Sequence, residues 1–157
     1  MTSVSLQTYD ISCQSAFLFS LAPALYNRTP NPHTTHIGET MTTILHIARK
    51  EAWEQAVSAG GYQGDTLASE GFIHCSTPDQ IVAVANRFYR GQTGLALLVI
   101  DRARVQAPVR DENLEGGETL FPHIYGPLNL DAVVDVLDFP PRADGGFILP
   151  NDWMLHE

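Results

Sequence analysis

Positive charge is scarce in this sequence. Lys and Arg together number 9 against 18 Asp and Glu in 157 residues, a formal charge of −9. Such a chain has no broad positive field to attract a phosphate backbone, which excludes bulk nucleic-acid binding. A single phosphate group is a different matter, because a few well-placed Arg or His donors suffice to hold it. Cysteine is scarcer still, with only Cys13 and Cys75. Two isolated thiols make neither a disulfide framework nor a thiolate zinc site, which fits a reducing, cytoplasmic setting. Long apolar runs are missing too. The most apolar early stretch, Ala16-Phe17-Leu18-Phe19-Ser20-Leu21, precedes the first basic residue, Arg28, so it lacks the charged flank of a signal segment. Nothing later approaches the roughly 20 residues of a membrane span. Neither export nor membrane insertion is expected.

What is present is enough apolar material, 44% of residues, to fill one core. Residues 1–40 are rich in Ser, Thr, Pro and Asn and show no sustained period, so they read as a disordered or loosely packed N-terminal extension. Met41 and Met1 are both candidate natural starts, and 41–157 is expected to be a single α+β domain. Thr43 to Ile47 is short and apolar, as a buried strand is. Lys50 to Ala59 has Trp53, Ala56 and Val57 at helical spacing and stops at Gly60-Gly61. Phe72-Ile73-His74 follows as a second short strand. Thr77-Pro78-Asp79-Gln80 offers a capping hydroxyl, a first-turn proline and a glutamine at the third position, so a second helix begins there. Its expected buried stripe is Ile81, Val84, Ala85 and Phe88, with Gly91 as the stop. Leu95 to Ile100 is a continuous apolar run, the pattern of a central strand covered on both faces. Val109 marks a short strand and Val133 to Phe139 a longer one. Two helices followed by several short strands predict an α+β fold with a mixed or antiparallel sheet.

Chemistry-bearing residues gather in two segments, Glu70-Gly71-Phe72-Ile73-His74-Cys75-Ser76 and Phe121-Pro122-His123-Ile124-Tyr125-Gly126. His74 ends a strand just before a helix start. There, free backbone N–H groups and the Ser76 and Thr77 hydroxyls are expected to seat a phosphate or carboxylate; the other reading is a plain helix cap beside a structural histidine. His123 and Tyr125 flank Ile124 and so point to one side of an extended segment, with Pro122 and Gly126-Pro127 stiffening its ends. A structural turn explains the same residues. His46 alternates with Leu45 and Ile47. Three histidines on separate strands are expected to meet if those strands share a sheet. Glu70 and Glu112 are the nearest acids, suited to orient a histidine or act as a base. Arg87 and Arg90 read as solvated or ion-paired. Cys75 faces away from His74, so a Cys–His nucleophile is not expected. No His-x-His or His-x-x-x-His chelate is present, so no metal is expected.

Taken together, Ile44 through Trp53, Gly60-Gly61-Tyr62, Glu70 to Ser76 with Gln80, Asp101, and Phe121 to Leu128 resemble the bacterial family called domain of unknown function 952. Members are sometimes labelled glutathione S-transferase-like, but this chain has neither that enzyme's two-domain length nor its thioredoxin-like pattern. The family is similar in fold to the ADP-ribosyltransferase superfamily, which includes RNA 2′-phosphotransferases that use NAD. That resemblance implies an ADP-ribosyltransferase-like fold and NAD as substrate, in a transferase or hydrolase acting on a nucleotide. Carried over by position, His46 on the first strand contacts a ribose and His74 with Ser76 forms the second group. His123 or Glu112 supplies the last, and Thr77, Tyr125 and Tyr62 line the ligand. His46, His74 and His123 are the implied catalytic residues. No Gln-x-Glu or Glu-x-Glu motif is present, so the phosphotransferase branch is the nearer one, while the net charge speaks against a large RNA substrate. A non-catalytic module that binds a small anion or nucleotide is the alternative.

Overall fold

The apolar run Leu95–Ile100 becomes the middle strand of a three-stranded sheet. In the computed structural model, which describes residues 43–114, 116–151 and 153, all seven residues of Leu95–Asp101 are buried. The chain from Thr43 forms β1 (Thr43–Arg49), α1 (Lys50–Ala59), the single turn α2 (Leu67–Glu70), β2 (Ile73–His74) and α3 (Ile81–Phe88). It continues as β3 (Leu95–Asp101), β4 (Val109–Glu112), β5 (Phe121–Ile124) and β6 (Val133–Asp138). The extension expected over residues 1–40 lies outside the described residues.

One sheet was expected; there are two, each of three strands and each antiparallel. The first has the order β1-β3-β6 and the second β2-β5-β4. A backbone bridge joins them: Leu45 donates to the Ser76 carbonyl and Ser76 to the Leu45 carbonyl, both at 2.8 Å. The central β3 is apolar on both faces because both are covered. Leu95, Leu97 and Val99 pack with Leu45 and Ile47 under Ile81 and Ala85 of α3, Phe139 and Phe147. Leu98 and Ile100 pack with Ile44 and Ala48 against Ile73 and Ile124 of the second sheet and Ala56 of α1. The second sheet therefore has an inner face committed to the core and an outer face turned away from it.

The first helix has the expected bounds, the second begins at Ile81 and not within Thr77-Pro78-Asp79-Gln80, and neither buries the full expected stripe. In α1, Ala56 is buried and Trp53 packs on the core, whereas Val57 is 53% exposed, one residue further round the helix. In α3 the buried edge runs through Ile81, Val82, Ala85 and Tyr89, leaving Phe88 52% exposed. The reason lies in the segment after β6. Asn86 accepts from the Phe147 N–H at 2.8 Å and donates to the Phe147 carbonyl at 3.3 Å, while Arg90 donates to the Asp144 carbonyl at 3.0 Å. That segment covers the 82–86–90 edge of α3, and Phe88 lies on the other one. Gly60 ends α1 at φ 83°, the left-handed region that glycine enters without strain. No helix among the described residues is long and apolar enough to cross a membrane.

Candidate functional site

Side chains alternate along a strand, so the residues of β2, β4 and β5 that do not enter the core must share the outer face. Ile73 and Ile124 point inward. Phe72 and His74, His123 and Tyr125, and Arg110 and Glu112 point outward, and strand register sets them side by side. His74 lies opposite His123, and His123 opposite Arg110. The two imidazoles meet edge to face with ring centroids 5.0 Å apart. Phe72, itself buried, touches His74, His123 and Tyr125 at centroid distances of 4.9, 4.6 and 5.4 Å.

Each histidine has its own carboxylate. His74, about half exposed, donates from Nε2 to Glu70 Oε2 at 2.9 Å. The ring of His123 is almost covered, and its Nδ1–H donates to Glu112 Oε1 at 3.3 Å. The same carboxylate oxygen accepts a short hydrogen bond from the Tyr125 hydroxyl. Because a carboxylate only accepts, His123 holds its neutral proton on Nδ1, and Nε2 presents a lone pair. Among the described residues, the hydrogen bond to Glu112 is the contact seen at the His123 ring nitrogens, and Nε2 is the nitrogen not engaged in it. Burial and then the neighbouring His74 lower the pKa of His123, with Glu112 opposing them. The hydrogen bond from Tyr125 holds the Glu112 carboxyl below its usual range, and that bond likewise raises the Tyr125 phenol. Arg110 is exposed and lays its guanidinium 4.6 Å from the centre of the Tyr125 ring.

His46 does not join this face. It is 4% exposed, and both ring nitrogens are engaged: Nδ1–H donates to the His74 carbonyl at 2.6 Å, and Nε2 accepts from the Tyr62 hydroxyl at 2.9 Å. Burial lowers its pKa and raises that of the Tyr62 phenol, which keeps imidazole and phenol neutral and the bond between them intact. Tyr62 is buried as well and exchanges two backbone bonds with Leu128. This pair braces β2 from beneath.

The anion seat expected at the start of α3 is filled by the chain itself. The Ser76 N–H goes to the Leu45 carbonyl, and the Thr77 N–H to the Gln80 side chain at 3.0 Å. The Thr77 hydroxyl donates to Asp79 at 2.6 Å, which already places a carboxylate at the helix start. Gln80 also donates to the Leu120 carbonyl at 2.7 Å, tying this turn to the approach of β5. Ser76 is buried. Hydroxyl capping is not seen either: α3 begins at Ile81 with Gln80 at its N-cap and no side-chain hydrogen bond there, and the Thr77 and Gln80 contacts close a turn ahead of it. Cys75 is buried too, and burial pushes its thiol pKa far up. Among the described residues, no group of three or more His, Cys, Asp or Glu side chains is arranged to hold a metal ion.

Two residues of the face were not singled out from sequence. Arg110 carries a signal all the same, since alternation within Val109-Arg110-Asp111-Glu112 places it on one side with Glu112 once the segment is a strand. Phe72 carries the same signal two positions before His74.

With this geometry in view, comparison with known proteins adds an assignment. The family described as a protein of unknown function, DUF952, matches residues 47–136. The chain belongs to that family. The match includes His74, Arg110, Glu112, His123 and Tyr125 and begins just after His46. A crystal structure of the protein CC0527 from Caulobacter crescentus is 31% identical, with TM-score 0.63, over 69% of this chain and 95% of that one. A solution NMR structure of the same protein gives 32% identity and TM-score 0.60, over 68% and 91% respectively. A search of curated proteins finds no match. The DUF952 fold here is therefore a small α+β domain with two antiparallel sheets.

Proposed function

We propose that the outer face of the second sheet is an acid–base site for a small nucleotide-like anion, with NAD or ADP-ribose as the ligand class. The observation that carries this reading is the cross-strand pair His74–His123, in which each imidazole is oriented through one ring nitrogen by its own carboxylate. An imidazole titrates near neutrality, so such a pair has one member suited to accept a proton and one suited to donate it. Arg110 supplies the positive charge that the molecule as a whole lacks. An ADP-ribosyltransferase-like relationship is part of the proposal. It is supported by the adjacency of β1, β2 and β5, the strands to which the resemblance maps its three positions. In this reading His46 acts as a positioning residue, holding the backbone of His74, and not as a ribose contact. Cytoplasmic residence belongs to the same reading.

Titration calorimetry of the wild-type protein and of His74→Ala with NAD and with ADP-ribose tests it. Binding by the wild type that weakens at least tenfold in the variant is the expected result. No binding of either compound by folded wild type would sink the reading. A non-catalytic binding module is the second possibility, favoured by the near-complete covering of the His123 ring; binding of NAD without its turnover would select it.

A further inference from the structure

We infer that the bond broken on this face is a phosphoester, cleaved without a metal ion by His123 as base and His74 as acid, with Arg110 holding the phosphoryl oxygens. The inference rests on reading the face as an acid–base site and goes beyond it by naming the reacting group.

Three features select phosphorus over a carbonyl carbon. First, the face offers no free thiol or hydroxyl as a nucleophile. Cys75 is buried, and the outward residues are two imidazoles, a phenol bonded to a carboxylate, a guanidinium and the carboxylates themselves. Attack must come from water or a substrate hydroxyl, which needs a base but no covalent enzyme intermediate. Second, acyl transfer calls for backbone N–H donors aimed at a developing oxyanion, and the N–H groups of Cys75, Ser76 and Thr77 are all consumed within the fold. Third, the charge that builds up on phosphoryl oxygens needs a cation, and Arg110 stands directly across from His123 in the strand register.

The Nε2 lone pair of His123 takes one proton from the attacking water or hydroxyl, and its oxygen bonds to phosphorus. The bond from phosphorus to the leaving oxygen breaks, and protonated His74 delivers a proton to that oxygen. His123 ends protonated and His74 neutral, and exchange with solvent resets both. The groups facing the pair are Glu70 from α2, Arg110 and Glu112 from β4, and Tyr125 from β5, with Asp111 adding charge nearby. One base and one acid of this kind give a bell-shaped dependence of rate on pH.

The test uses the full chain with 2′,3′-cyclic AMP in the presence of EDTA, following the phosphomonoester product by phosphorus NMR. Hydrolysis is expected to be unaffected by EDTA and bell-shaped in pH, and lowered about 10²- to 10⁴-fold by His74→Ala or His123→Ala. Arg110→Ala should lower kcat more than it raises KM, and Arg110→Lys should recover part of the loss. If His123→Ala does not fold, His123→Gln replaces it. A folded wild-type protein that binds ADP-ribose but leaves the cyclic phosphate intact overturns the inference while the binding reading stands. Hydrolysis undiminished in both histidine variants also overturns it. Hydrolysis without binding of NAD or ADP-ribose supports the inference and removes the ligand class proposed above.

Discussion

His46 and Tyr62 show how much a single buried pair has to satisfy. The imidazole has one donor and one acceptor, and both are matched, by a carbonyl and by a phenol. Tyr62→Phe would leave Nε2 buried without a donor, so we expect a loss of about 1–3 kcal/mol in chemical denaturation with little change of fold. The same burial gives a pH dependence whose sign is fixed. His46 and His123 both titrate below the ordinary imidazole value of 6.5 in the folded state, so the unfolded chain binds more protons at acid pH. Their stabilising effect is complete above 6.5 and is lost as pH falls through the lowered folded values. Denaturation midpoints measured from pH 8 to 5 should therefore decline on the acid side, and less steeply in His46→Gln. A midpoint flat across that range would show that neither group is neutralised by burial.

Between elements, the register of β2, β5 and β4 makes testable couplings. Glu112 raises the pKa of His123 and His74 lowers it. Followed by proton NMR of the imidazole, the His123 titration should move to lower pH in Glu112→Gln and to higher pH in His74→Ala. Opposite or absent shifts would mean the rings are not neighbours in solution. Helix packing gives a sharper contrast. Ile81 is 1% exposed and Phe88 52% exposed. Ile81→Ala should cost about 2–5 kcal/mol and Phe88→Ala well under 1 kcal/mol, by denaturant titration. The periodicity of α3 predicted the opposite weight for Phe88, because 3.6-residue spacing allows two adjacent stripes and only the docking of the Asp144–Phe147 segment chooses between them.

For the molecule as a whole, the charge of −9 sets the range of partners. Filter binding with long duplex DNA or RNA at about 0.15 M salt should show no retention, since condensed phosphates repel an acidic surface. Much of this protein was legible in its residues. The extent of α1 followed from Gly60-Gly61, the central position of β3 from its unbroken apolar run, and the pairing of His123 with Tyr125 from strand alternation. Each is a local consequence of backbone geometry or of burial on two faces. The rest depended on which strands pair. No spacing in the sequence reveals that His74 registers with His123, that Arg110 stands across the same sheet, or that the outward face of one sheet excludes His46. Those follow from long-range hydrogen bonding between strands and from the second sheet packing its inner face on the core. That packing put His46 in the core between the sheets, where its hydrogen bonds are spent on the fold, and set His74, half exposed, beside the nearly covered His123 on the other face.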